Sequence, residues 1–268
     1  MPLSETGTDR AATSAALDVR SLLVWGLLAG LLGGVLAFGF AEAFGEPSVD
    51  TAISLEEQGG AAEHSHDDGA AAGHSHGEEG AEEEVVSRSF QSTGGLAIGT
   101  VVYGLGLGGL FGLAFAFAYG RLGTASPRGT AVAVLGIGYT AVVLVPFLTY
   151  PANPPAVGRG ETIGERTGLF FGMVGISLVL ALVAVVVGRK LAQRLGGWTA
   201  VLVAGLGYLV LVTVAAKLLP DFQEVPDGFP GATLWEFRIA SLGTSAVLWA
   251  GIGIGFAALL HRGLTRAR

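Results

Sequence analysis

The chain has 268 residues, 51% of them hydrophobic and 14% charged, with a formal net charge of −7. A soluble domain carries roughly 25% charged residues. This composition, with a mean hydropathy of +0.60, therefore describes an integral membrane protein without an attached soluble enzyme. Cysteine is absent, which excludes disulfides, thiolate metal sites and cysteine nucleophiles.

Residues 1–20, with Asp9, Arg10, Asp18 and Arg20, read as a polar cytoplasmic tail. The apolar run that follows is too long for a signal-peptide core and shows no convincing cleavage site, so it is expected to remain as the first helix. Six apolar segments succeed one another: Ser21–Phe44, Leu96–Tyr119, Thr130–Tyr150, Thr167–Val187, Trp198–Leu219 and Ile239–Leu260. At 1.5 Å per residue each is about 30–36 Å long, enough to cross a hydrocarbon core of about 30 Å. The expected fold is an all-α integral membrane protein. It is a compact bundle of about six transmembrane helices with Gly-rich packing, one domain over residues 21–268.

Basic residues orient the bundle. Arg10, Arg20, Arg121, Arg128, Arg189, Lys190, Arg194, Arg262, Arg266 and Arg268 fall at the N-terminus and in alternate loops, ten in all. Arg88, Arg159, Arg166 and Arg238 fall on the opposite side, and Lys217 lies within the fifth segment. This pattern predicts a multi-pass protein of the cell membrane with both termini in the cytoplasm. Of the 22 acidic residues, only Glu5, Asp9 and Asp18 share the cytoplasmic side. The outer face is thus anionic and concentrates cations, although solubility or adaptation to salt accounts equally well for any single carboxylate.

Glycines recur at helical spacing: Gly26, Gly30 and Gly34; Gly104, Gly108 and Gly112; Gly168 and Gly172; Gly251 and Gly255. Small residues four apart let helix backbones approach in lipid, so these ridges read as packing surfaces. The second, fourth and sixth segments each begin just after an arginine, Arg88, Arg166 or Arg238. Either a repeated helix pair or buried arginine–carboxylate pairs at the outer mouth accounts for that placement.

Between the first two segments, residues 45–95 read as a long, polar, largely disordered outer loop. It holds two near-copies, Glu63-His64-Ser65-His66-Asp67-Asp68 and Gly73-His74-Ser75-His76-Gly77-Glu78-Glu79, with four of the protein's five histidines. Neutral imidazole with neighbouring carboxylates binds first-row transition metals. His64, His66, His74 and His76 are thus candidate ligands for weak, exchangeable capture; a low-complexity solvated tract is the plainer reading. Glu42 and Glu46 end the first helix four residues apart, where like charges repel unless a cation lies between them. A carboxylate at the bilayer boundary is costly and usually functional.

Tyr150-Pro151-Ala152-Asn153-Pro154-Pro155-Ala156-Val157-Gly158 interrupts the middle of the chain. Pro151, Pro154 and Pro155 cannot continue a helix and favour extended backbone, leaving carbonyls open to water, protein or a cation. The Asn153 side chain adds one more oxygen. The last outer loop, from Pro220 to Pro230, is also acidic and proline-broken, and it leads into Trp235, Glu236, Phe237 and Arg238. Nothing resembles a P-loop, a serine or zinc hydrolase motif, or a basic nucleic-acid surface.

Assembled in this order, the chain resembles the CbtA-type cobalt transporter subunit family. The likeness rests on Glu46-Pro47 with Ala52-Ile53 and Glu56, and on the His-rich loop. It rests further on the proline stretch with Glu161-Thr162-Ile163, and on Phe237-Arg238-Ile239-Ala240-Ser241-Leu242-Gly243. The resemblance implies cobalt uptake in the context of cobalamin synthesis, and a small single-helix partner of the CbtB type with histidines of its own. It also implies five membrane helices, where six segments are counted here.

The expected function is a non-enzymatic membrane subunit that captures Co²⁺, with Ni²⁺ or Zn²⁺ as alternatives, as transported cargo and without a permanently bound cofactor. Histidines and carboxylates collect the ion, Glu42, Glu46 and the Asn153 region accept it, and the bundle passes it inward. Pro151, Pro154, Pro155, Glu236 and Arg238 are the structural or gating candidates. The competing reading is a non-conducting metal sensor or chaperone that delivers metal to a partner subunit.

Overall fold

The structure, a computed structural model, describes residues 18–64, 90–122 and 125–266. It is helical, with no strand among the described residues. The helices are α1 (Val19–Phe40), α2 (Glu46–His64), α3 (Leu96–Ala118), α4 (Pro127–Tyr139), α5 (Val145–Thr149), α6 (Ile163–Leu195), α7 (Gly197–Leu218) and α8 (Gly231–Arg266). They compose six helical stretches long and apolar enough to cross a membrane, one more than the resemblance implies. Six crossings, being even in number, would place both ends of the described chain on one side. Arg121, Arg128, Arg189, Lys190, Arg194, Arg262 and Arg266 gather there (the basic face), and residues 150–162 and 219–230 form the opposite, acidic face.

Two wide, π-helical turns explain how proline is carried inside spans. Ala41–Gly45 joins α1 to α2, and Thr140–Leu144 joins α4 to α5. In each, an N–H reaches back five residues, from Glu46 to the Ala41 carbonyl and from Val145 to the Thr140 carbonyl. A proline follows two residues after each turn, Pro47 and Pro146. Proline in a helix lacks a donor and clashes with the carbonyl four residues back. Inserting one extra residue per turn lets the helix pass that obstacle without breaking. The outer loop therefore starts later than Gly45. Helix runs on to His64 and is present again from Phe90, with the second span opening in a third wide turn, Gln91–Gly95.

α1, α3 and α8 form the most closely packed part of the bundle. The predicted ridges on α1 and α3 face each other in antiparallel register: a Cβ on Gly26 would strike the Gly108 carbonyl, one on Gly30 the Gly104 carbonyl, and one on Gly34 that of Thr100. On α8, a Cβ at Gly251 would come 2.7 Å from the Gly33 Cα. Phe111 and Phe115 of α3 and Phe256 of α8 close this core, ring to ring at 5.3 and 5.0 Å. The third predicted ridge does not pack: nothing lies within 4 Å of a Cβ at Gly168 or Gly172. Spacing marks a surface that admits a neighbour, but not whether one comes.

α6 and α7 form a hairpin joined by Gly196 alone, whose φ of +79° suits a residue without a Cβ. A second core of Ala141, Val145, Met173, Ala181, Tyr208 and Val212 attaches the hairpin to the Thr140–Leu144 turn and α5. Within it Ser177 Oγ and Tyr208 Oη share a buried hydrogen bond of 2.8 Å. The outward sides of α6 and α7 carry exposed apolar residues such as Val179, Val201, Leu206 and Val210, as a lipid-facing surface requires.

Candidate functional site

The proline stretch forms the centre of the acidic face, but only its first half is extended. Val157 N–H donates to the Pro154 carbonyl at 3.2 Å. With Pro155 and then Ala156 at φ +62° in the central positions, this is a type II turn. Position three of such a turn usually holds glycine, so Ala156 stores strain of about 1 kcal/mol. Before the turn, Arg238 reaches across from α8. Its Nε donates to the Ala152 carbonyl at 3.3 Å and its Nη2 to Asn153 Oδ1 at 3.0 Å. The oxygens expected to be open to a cation are therefore held by a guanidinium.

A second arginine pins the other end of the stretch. Arg166 Nε lies 3.5 Å from Glu224 Oε2, with the Glu224 side chain 8% exposed. This is an arginine–carboxylate pair of the kind suggested by the arginines at the starts of the spans. Glu224 also accepts from the Arg159 N–H at 3.1 Å, and its own carbonyl accepts from Gly158 N–H at 3.3 Å. Gly158, at φ +107°, leaves room for the Arg166 guanidinium, which a Cβ would meet at 2.7 Å. The Glu224 carboxyl is held below its ordinary 4.5 by a hydrogen bond from the Thr162 side chain, then by the Arg159 N–H and the charges of Arg166 and Arg159, against burial. Tyr150 Oη donates to the Pro220 carbonyl at 2.8 Å, linking the stretch to the last loop.

Beneath these contacts lies a cavity of about 600 Å³. Pro151, Ala152 and Asn153 cover it, Phe147, Phe170 and Phe171 form apolar walls, and Arg166, Asp221, Glu224, Arg238, Ser241 and Ser245 supply its polar groups. The proline stretch, α6, α8 and the loop before α8 converge here, with Tyr103 of α3, the Thr140–Leu144 turn and α5 completing the lining. The cavity sits at the proline-stretch end of the seam between the glycine-packed helices and the α6–α7 hairpin.

The structure divides the residues singled out in the sequence. Asn153, Pro151 and Arg238 line the cavity, Pro154 is buried and Pro155 half-buried in the turn beside it. Glu236 is exposed; two positions from Arg238 along a helix, it points elsewhere. Glu42 and Glu46 do not line the cavity. Glu42 lies in the first wide turn, half-buried, with Oε2 shielded from solvent and without a hydrogen-bond partner. His64 ends α2, while His66, His74 and His76 lie outside the described residues. Among the described residues no group of three or more His, Asp or Glu side chains comes together. Sequence reasoning missed Glu224, Ser241 and Ser245. The signal for the serines was their spacing, three and seven residues after Arg238, which keeps them on one side of α8.

A helical bundle with six helices of membrane-crossing length is the architecture of a multi-pass membrane protein. The family model described as probable cobalt transporter subunit (CbtA) matches residues 19–261, and the chain belongs to that family. No curated protein and no solved structure matches it.

Proposed function

We propose that this chain is the membrane subunit of an uptake transporter for a divalent transition metal, cobalt, which it captures at an acidic, His-rich outer face and passes through the helix bundle. The observation that carries this reading is the family match over residues 19–261. The ion is cargo, and the chain performs no reaction on it. His64, His66, His74 and His76 collect metal, and the unbroken α1–α2 helix that ends at His64 connects that tract to Glu42 and Glu46. Glu42 supports the reading directly: a shielded carboxylate oxygen without a partner is costly near a bilayer unless a proton or cation serves it. Asn153 becomes a ligand only when Arg238 releases it. Residues 21–268 act as one membrane domain with both termini in the cytoplasm, alongside a small single-helix partner of the CbtB type.

The test is cellular metal content, by mass spectrometry, in uptake-deficient cells given trace Co²⁺, Ni²⁺ and Zn²⁺ together. Cobalt accumulates selectively with the native chain and its partner. Glu42→Ala abolishes accumulation at all concentrations, whereas alanine at the four loop histidines lowers it only when metal is scarce. No accumulation, with metal still bound by purified protein, would instead identify a sensor or chaperone.

A further inference from the structure

We propose that the cavity under the proline stretch is a receptor for small carboxylates, free or in complex with the metal. The metal's identity rests on the transport reading above; the carboxylate site does not. Size is the first argument. A cavity of about 600 Å³ falls within the range of small-molecule sites, roughly 300–1,000 Å³. An ion with six waters fills only about 180 Å³ at about 30 Å³ per water.

Charge is the second. Arg166 is balanced by Glu224, but Arg238 is held only by neutral oxygens, of Ala152 and Asn153. Asp221 Oδ2 accepts from Gln223 at the exposed rim. Asp221 keeps its own charge, but it lies exposed to solvent at the rim, whereas the part-buried Arg238 guanidinium has the geometry that matches a carboxylate. Two of the five N–H donors of Arg238 are used within the protein, leaving three for a ligand.

Donor count is the third. Ser241 and Ser245 line the same cavity, and neither hydroxyl has a partner among the described residues. The cavity thus offers free donors along one side of α8 and apolar rings opposite, a surface for an oxygen-rich anion with a carbon skeleton. The neighbouring carboxylate, Glu224, is already engaged by Arg166 and the Arg159 N–H.

Calorimetric titration of the full chain in detergent with citrate, with Co²⁺ alone and with a preformed one-to-one Co²⁺–citrate complex tests this. Citrate and its complex bind, and Arg238→Gln weakens both by roughly tenfold or more. The double variant Ser241→Ala, Ser245→Ala removes no contact within the protein and weakens both by about threefold, which separates lost ligand contacts from misfolding. Failure of citrate to bind overturns the proposal. So does equal or tighter binding of citrate to Arg238→Gln, which would place the anion away from that guanidinium. Cobalt accumulation is read separately: a chain that binds the citrate complex yet accumulates no cobalt keeps the site and loses the transport reading.

Discussion

α1, α3 and α8 touch backbone to backbone, whereas α6 and α7 meet the rest of the bundle through side chains and loop contacts. Buried surface follows the same division: 39% of the most apolar stretch of the first span lies inside the structure, against 11% of that in α7. In lipid there is no hydrophobic gain from helix association, so close contact and hydrogen bonds must supply the cohesion. The glycine ridges do so with many small dispersion contacts that tolerate no added atoms. The hairpin relies on a single buried Ser177–Tyr208 hydrogen bond, a small second core and the Arg166–Glu224 pair. The candidate cavity lies where the two modes of packing meet, and the weakly held side provides one of its walls.

The sharpest way to break this contrast is to place the same side chain in both regions. Gly30→Leu drives atoms into the Gly104 carbonyl and is expected to cost about 3 kcal/mol or more. Gly172→Leu, which faces open space, should stay within about 0.5 kcal/mol. Thermal unfolding in detergent measures both, and equal losses would refute the division. The next effect belongs to the outer mouth. Because the Glu224 carboxyl is held below 4.5, its stabilising contribution is complete above that pH and disappears as pH falls through the lower folded-state value. Hydrogen-exchange protection factors across residues 150–162 should therefore fall on the acid side in the native chain, and be low without that transition in Glu224→Gln. Tyr208→Phe removes the hairpin's hydrogen bond and should lower stability by about 1 kcal/mol. Smallest of all, Ala156→Gly relieves the left-handed backbone of the type II turn and should raise stability by up to about 1 kcal/mol. A loss there would mean that the Ala156 methyl group makes a contact worth more than the strain.

The spans, their alternation and the facing ridges of α1 and α3 were legible because hydropathy, charge and small-residue spacing are local patterns. α2 was not, since Pro47 ordinarily stops a helix and nothing local announces the wide turn that carries the chain past it. Arg166 could be suspected of seeking a carboxylate, but the choice of Glu224, 58 positions away, depends on how the hairpin returns the chain to the acidic face. For the same reason Asn153 looked like a vacant oxygen: Arg238, which holds it, is 85 residues distant. Contacts between elements set which donor meets which acceptor, and a single sequence records only the participants.

The single-residue joint at Gly196 has a bearing on how the protein enters its membrane. α6 and α7 together number 55 residues, 33 and 22, with no polar connector long enough to wait in water between two separate insertions. A joint this short suits entry of the two helices as one closed hairpin, with Ser177 already beside Tyr208. The last turns of α6, with Arg189, Lys190 and Arg194, anchor its bend at the headgroups while the opposite ends cross. The least buried part of the finished bundle is thus also the part with the shortest connection between its helices.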